Sequence, residues 1–133
     1  MLKLSIGKTS FMMVRSQRNN RPVNVNIFIG GRRIKEENEI KMLGVTFDAG
    51  LTFATHLREL IRNVKYCLRA FTRATKYIGH DTAKILYNSV IASRLNYGDA
   101  IWSPPGVTMQ RKLQVIQNIA ARKIMRVNSR HPS

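Results

Sequence analysis

Residues 56–78 have the sequence HLRELIRNVKYCLRAFTRATKYI, and the period of this stretch decides how the second half of the chain folds. Its apolar side chains recur at steps of three and four from Leu57 to Ile78, which is the spacing of one face of an α-helix. Similar spacing recurs further along the chain. The pattern predicts three helices, over residues 55–78, 81–96 and 108–127.

The residues between the predicted helices match the known preferences for helix ends. Gly79 is predicted to end the first helix, and Asp81 is predicted to be the N-cap of the second because its carboxylate can accept backbone N–H groups. Pro104 and Pro105 break the chain before the third helix. The apolar face predicted for the second helix consists of Ile85, Leu86, Val90, Ile91 and Leu95.

The first third of the chain has strand and turn chemistry. Residues 10–15, 23–29 and 40–47 are short β-prone runs, and Gly30-Gly31 suits the tight turn of a β-hairpin. The sequence therefore predicts an α+β fold, in which a small antiparallel β-sheet at 1–54 is followed by a three-helix bundle at 55–133.

The charge of the chain points to a polyanionic partner. It has 23 Lys and Arg against 7 Asp and Glu, a formal net charge of +16, and nucleic acid neutralises such an excess. No apolar run is long enough to span a membrane or to act as a signal core, so no membrane partner is expected. The single Cys67 suits a reducing compartment, and we expect an intracellular protein, nuclear or cytoplasmic.

The first predicted helix carries a regular series of cations. At about 100° per residue they fall within a sector of about 80°, away from the apolar face. Only Glu59 accompanies them, whereas a merely solvated face usually intersperses acids with bases. The arrangement favours sequence-independent contacts to phosphates. We call these residues the basic stripe: Arg58, Arg62, Lys65, Arg69, Arg73 and Lys76.

Four blocks of sequence, in this order, resemble the downstream part of reverse transcriptases from jockey-like non-LTR retrotransposons. They are LKLSIGKTSFMMV at 2–14, KMLGVTFDAGLTFATHL at 41–57, LNYGDAIW at 95–102 and KLQVIQNIAARKI at 112–124. The resemblance covers nearly the whole chain. It implies the far edge of the palm followed by a thumb-like helical domain, with a duplex or RNA–DNA hybrid as the sequence-nonspecific partner.

The resemblance also implies roles for individual residues. Lys8 corresponds to a lysine proposed to help protonate the departing pyrophosphate. The region from His56 onward corresponds to the thumb, whose first helix lies against the template–primer duplex. A primer-grip-like hairpin, in which Leu43-Gly44-Val45 turns the backbone near the primer end, corresponds to Lys41, Met42, Leu43, Gly44 and Val45.

The carboxylates of a polymerase active site are missing from the sequence. Two-metal phosphoryl transfer needs acids that hold two ions on the transferring phosphate, and the Tyr-x-Asp-Asp hairpin of the resembled family is absent. We therefore expect no catalytic residue, no cofactor and no activity from this chain alone; Mg²⁺ would be expected only in an intact polymerase. The spacing of His56, Cys67, His80 and His131 predicts no metal site.

The leading interpretation is a non-catalytic piece of an RNA-directed DNA polymerase that binds nucleic acid, with the missing palm and fingers of the parent polymerase as a second expected partner. The start at Met1, in the middle of the family pattern, suggests a truncated copy or a gene model begun at an internal methionine. Two alternatives stay open. One is a degenerate retroelement relic that does not fold stably, and the other is an unrelated small basic nucleic-acid-binding module.

Overall fold

The computed structural model describes residues 5–15, 24–102 and 106–127. The chain divides into two compact units, Met1–His56 and Leu57–Ser133. The first contains short strands and the second is helical, which confirms the predicted α+β fold. Parts of three predictions fall outside the described residues: the strand at Val23, the chain break at Pro104 and Pro105, and the position of His131.

Among its described residues, the first unit contains three two-stranded ladders instead of one continuous sheet. Two of them are antiparallel hairpins, β2 (Phe28–Ile29) with β3 (Arg32–Arg33) and β5 (Glu39–Met42) with β6 (Val45–Asp48), and the third is a parallel pair, β1 (Ser10–Phe11) with β4 (Lys35–Glu36). Most of the pairing segments are only two residues long, too short to carry a recognisable alternating pattern.

The predicted hairpin at Gly30-Gly31 is confirmed. Ile29 pairs with Arg32 across the turn, and the two glycines have φ values of 56° and 75°. Positive φ at both central positions matches the right-handed twist of the flanking strands, and glycine adopts it without steric cost.

The residue pattern alone predicts one strand over 40–47, but this run folds back on itself, as the resemblance to a primer-grip hairpin implies. Met42 pairs with Val45, so Leu43 and Gly44 form a two-residue turn between β5 and β6. Their φ values are 48° and 82°. A leucine at positive φ is uncommon. For this reason the local residue pattern by itself does not predict a turn at Leu43.

The described core of the first unit is small. Ile34 and Val45 are its buried apolar side chains, and Thr46 and His56 are buried polar ones. The Thr46 backbone N–H donates to Nδ1 of His56 over 3.4 Å, which ties β6 to the beginning of the first helix.

Five α-helical segments are seen in the described part of the helical unit, and the first of them begins before residue 57. They are α1 Ala54–Ala74, α2 His80–Tyr87, α3 Ser93–Asn96, α4 Asp99–Trp102 and α5 Val107–Ile124. A π-helical segment, Asn88–Ala92, joins α2 to α3, and the joining residues all have right-handed helical dihedrals. The boundary between the two units falls inside α1.

Three predicted helix boundaries are wrong, and one of them is the end of α5, which lies at Ile124 rather than 127. Helix α1 ends at Ala74 rather than 78, and there the Thr75 hydroxyl donates to the Thr72 carbonyl over 3.0 Å, a local bond that competes with helix continuation. Gly79, not Asp81, is the N-cap of α2. Asp81 lies in the first turn, where its charge favours the positive end of the helix dipole.

The core of the helical unit joins α1, the α2–α3 region and α5. Its largest fully buried side chains are Val64, Phe71, Ile91 and Ile116, and the Phe71 ring packs edge-on against Tyr87 with centroids 6.3 Å apart. Each such side chain contributes roughly 1.5–3 kcal/mol through burial. The cluster comprises Ile61, Val64, Cys67, Leu68, Phe71, Ile91, Leu95, Ile116 and Ala120.

Ile85 does not belong to this core, contrary to the prediction for the second helix. It is 67% exposed, whereas Ala83 is 3% exposed. Two residues correspond to about 200° of rotation around an α-helix, so the apolar face that includes Ala83 leaves Ile85 on the opposite side.

The end of α5 is fastened to the connection between α1 and α2. Arg126 has a φ of 56°, and the Val127 N–H donates to the Arg122 carbonyl over 3.1 Å, which closes the helix in a Schellman motif. The Arg126 side chain donates to the Ile78 carbonyl over 3.0 Å. These contacts fix α5 within the helical unit.

In the part of the chain that the structure describes, no helix is both long and apolar enough to cross a bilayer.

Candidate nucleic-acid interface

The basic stripe lies mostly on α1. Its residues from Arg58 to Arg73 are within the helix, and Lys76 lies in the turn that follows. All six side chains are exposed. On the other face of the same helix, Ile61, Val64 and Phe71 are buried in the core. The apolar contacts therefore hold the helix so that the cations are presented to solvent.

Most of the stripe has no anionic partner within the described ranges. Ion pairs occur there between Arg15 and Glu36, at 3.2 Å, and between Lys35 and Glu37, at 2.7 Å. Both belong to the first unit. Among the described residues, no ion pair or side-chain hydrogen bond involves the following five stripe residues: Arg62, Lys65, Arg69, Arg73 and Lys76.

The stripe places like charges next to one another. Arg62 and Lys65 are three residues apart, and Lys65 and Arg69 are four apart, so these side chains are neighbours on the helix surface. Each such pair of like charges destabilises a helix by about 0.2–0.5 kcal/mol. From Arg58 to Arg73 the series extends along about 22 Å of helix axis. The result is a line of positive charge whose repulsion a polyanion would relieve.

A groove between α1 and α5 adjoins the stripe. It has a volume of about 340 Å³, and Lys65 lines it from α1. The buried Leu68 and Ile116 are at its base, and Arg111 and Lys112 of α5 are exposed at its rim. Three cations thus surround an apolar floor. Thr108, Val115 and Ile119 complete the lining.

The primer-grip-like segment forms the β5–β6 hairpin turn of the first unit. Lys41, Met42, Leu43 and Gly44 are exposed, whereas Val45 is buried. Leu43 is 84% exposed and has positive φ. The tip of this hairpin is therefore apolar, solvent-facing and conformationally strained, a combination that is common at binding sites.

The remaining predicted site residue, Lys8, is the last residue of a short 3-10 turn, Ile6–Lys8. Its side chain is exposed, and its backbone N–H donates to the Ser5 carbonyl over 3.1 Å. Across residues 5–15, 24–102 and 106–127, no three His, Cys, Asp or Glu side chains are grouped so that they could hold a metal ion.

The sequence pattern did not single out three exposed residues beside the stripe. In the sequence, Arg111 and Lys112 contribute only to the net positive charge. The packing of α5 against α1 brings them next to Lys65. Tyr66 was overlooked, although its position four residues after Arg62 and three before Arg69 places it along the edge of the stripe. A search for aromatic residues at helical spacing from the cations would have found it.

One curated protein similar to this chain is the Retrovirus-related Pol polyprotein from type-1 retrotransposable element R1 4 of Nasonia vitripennis. The two are 31% identical over 94 residues, which is 68% of this chain and 24% of the relative. The chain thus matches about a quarter of that protein's length. No protein-family model and no solved structure matches the chain. The similarity supports a protein related to non-LTR retrotransposons.

Proposed function

We propose that this chain is the nucleic-acid-gripping piece of a jockey-like non-LTR reverse transcriptase and binds template–primer nucleic acid through phosphate contacts of the basic stripe. The observation that carries the proposal is the row of exposed cations along α1, of which Arg62, Lys65, Arg69, Arg73 and Lys76 have no anionic partner among the described residues. Similarity to a retrotransposon Pol polyprotein supports the same conclusion.

The geometry of the stripe suits a regular polyanion. Phosphates follow one strand of a duplex at about 3.4 Å intervals, so an axial length of about 22 Å from Arg58 to Arg73 can meet several of them. Such contacts fix position and orientation without reading sequence. The expected ligand is therefore a duplex or an RNA–DNA hybrid of any sequence.

The β5–β6 hairpin has a second role in the proposal. Its exposed tip, with Met42 and Leu43, contacts the sugar and backbone near the end of the primer strand, and Lys41 adds a cation beside it. Lys8 is an auxiliary proton donor. The carboxylates and the Mg²⁺ needed for nucleotide transfer would come from a separate palm, because two-metal chemistry needs a set of acids that the sequence lacks.

The decisive experiment is charge reversal within the stripe. The double substitution Lys65→Glu with Arg69→Glu should weaken binding to all duplexes. It should also flatten the plot of log affinity against log salt by about 0.9 for each phosphate that the variant no longer neutralises. Fluorescence anisotropy with a labelled RNA–DNA hybrid, at several salt concentrations, measures both quantities.

A matched control distinguishes binding through the stripe from binding that depends only on the net charge of the chain. Lys84→Glu with Arg94→Glu makes the same change in net charge at two exposed residues of α2 and α3. This control should lose much less affinity and should keep the salt slope. Equal losses in the two double variants would show that binding follows net charge rather than the stripe, and an unaltered affinity of the stripe variant would remove α1 from the interface.

A further inference from the structure

Tyr66 is an exposed aromatic residue at the edge of the basic stripe on α1. It is 75% exposed. Arg62 precedes it by four residues and Arg69 follows it by three, so both are its neighbours on the helix surface. A large apolar ring is thus presented to water between side chains that carry positive charge.

The ring of Tyr66 has no structural task within the described residues. No hydrogen bond or ring contact involves it there, whereas Tyr87 is half-buried and packs against Phe71 in the core. Helix α1 is also well anchored without it, through Val64 and Phe71. The fold therefore does not account for an aromatic side chain at this position.

Aromatic rings and cations occur together in proteins that hold unpaired nucleotides. The cations follow the phosphate backbone, and the ring stacks on a base, whatever its identity. Bases of a continuous duplex are stacked and paired inside the helix, so they cannot reach a ring on a protein surface. An unpaired base next to a bound phosphate can.

We infer that Tyr66 is a stacking platform for an unpaired base, and that the stripe accordingly takes nucleic acid with a single-stranded segment as well as continuous duplex. This inference rests on the proposed function. It adds that α1 recognises an unpaired base in the bound nucleic acid. Arg62 and Arg69 hold the flanking phosphates while the ring of Tyr66 covers the face of the base between them.

The experiment compares three variants on two probes. The probes are a labelled single-stranded oligothymidine and a labelled blunt duplex of the same length. Tyr66→Ala should weaken binding of the single strand by about 5- to 150-fold. It should leave the duplex affinity and both salt slopes unaltered, because every cation that binds a phosphate is retained. Tyr66→Phe should bind both probes as the unsubstituted chain does, since stacking needs the ring and not the hydroxyl.

The third variant, Lys65→Glu with Arg69→Glu, separates this inference from the proposed function. If it weakens binding while Tyr66→Ala leaves the single strand unaffected, the stacking role is wrong and the phosphate-binding role stands. Equal losses on both probes for Tyr66→Ala would also refute the stacking role. If the charge reversal itself has no effect, the proposed function fails. An unaltered thermal transition of Tyr66→Ala checks that the exposed residue is not needed for folding.

Discussion

The carboxylate of Asp48 accepts two hydrogen bonds from Thr52, one from its backbone N–H and one from its hydroxyl, each 3.0 Å long. A third comes from the Gly50 N–H over 3.1 Å. Partial burial raises the pKa of Asp48, but these bonds and one from the Phe53 N–H outweigh it and hold the pKa below its ordinary value. The charged carboxylate therefore organises the loop between β6 and α1.

This arrangement predicts a loss of loop stability in acid. Because the folded-state pKa is below the unfolded value of 3.8, the stabilisation is fully present above that value and is lost as the pH falls through the folded pKa. The protection factors of the Gly50 and Thr52 amides, which are corrected for the pH dependence of intrinsic exchange, should fall in that window. Asp48→Ala should already show fast exchange at neutral pH, with a loss of about 1 kcal/mol. Acid-independent protection at both amides would contradict the role given to this carboxylate.

A second prediction concerns the folding of the helical unit. Phe71 is 2% exposed in the core, and its truncation to alanine removes a large apolar side chain and leaves a cavity. Phe71→Ala should destabilise the unit by about 3–5 kcal/mol, measured by circular dichroism during thermal unfolding. Ile85→Ala is the matched control, because Ile85 is exposed. A chain with no cooperative transition before any substitution would favour the alternative of a relic that does not fold.

The hairpin turn supplies a third prediction, in which stability and binding change in opposite directions. Leu43 has a φ of 48°, a region that costs most L-residues roughly 1–2 kcal/mol and that asparagine tolerates better. Leu43→Asn should therefore slow amide exchange in β5 and β6. It should also weaken binding to a primer–template duplex, because asparagine cannot make the proposed apolar contact.

The neighbouring glycine gives the control for that experiment. Gly44→Ala introduces a side chain at a φ of 82° and should speed up exchange in the same strands. If Leu43→Asn stabilises the hairpin without any loss of affinity, the tip has no part in binding.

The sequence was sufficient to predict the features that depend on local spacing. The buried face of α1 and the exposed cations on its other side follow from a period of 3.6, and the Gly30-Gly31 turn follows from the conformational freedom of glycine. The parallel pairing of Ser10 with Lys35 is long-range and involves strands without a period. The turn at Leu43 uses a residue that rarely adopts positive φ. Neither could be predicted from local patterns.

In the candidate site, too, the features set by local spacing could be predicted and those set by tertiary packing could not. The cations of the stripe are neighbours on one helix, so the sequence spacing of Arg62, Lys65 and Arg69 is enough to predict their alignment. The groove between α1 and α5 arises from tertiary packing, in which Leu68 and Ile116 meet at its base. The distance in sequence between Lys65 and Lys112 gives no indication that the two line one groove.

This groove leads to the last prediction, which tests whether α5 is part of the binding surface. If one phosphate is held between Lys65 and Lys112, then replacing either lysine with glutamate removes most of the benefit of the other. The affinity losses for a labelled hybrid should therefore be less than additive, with a coupling of about 0.5–3 kcal/mol. Arg73 does not line the groove, so Arg73→Glu combined with Lys112→Glu should give losses that add within about 0.5 kcal/mol. Additive losses in both pairs would mean that the groove cations act only through their long-range field, and the contact surface would then be restricted to α1.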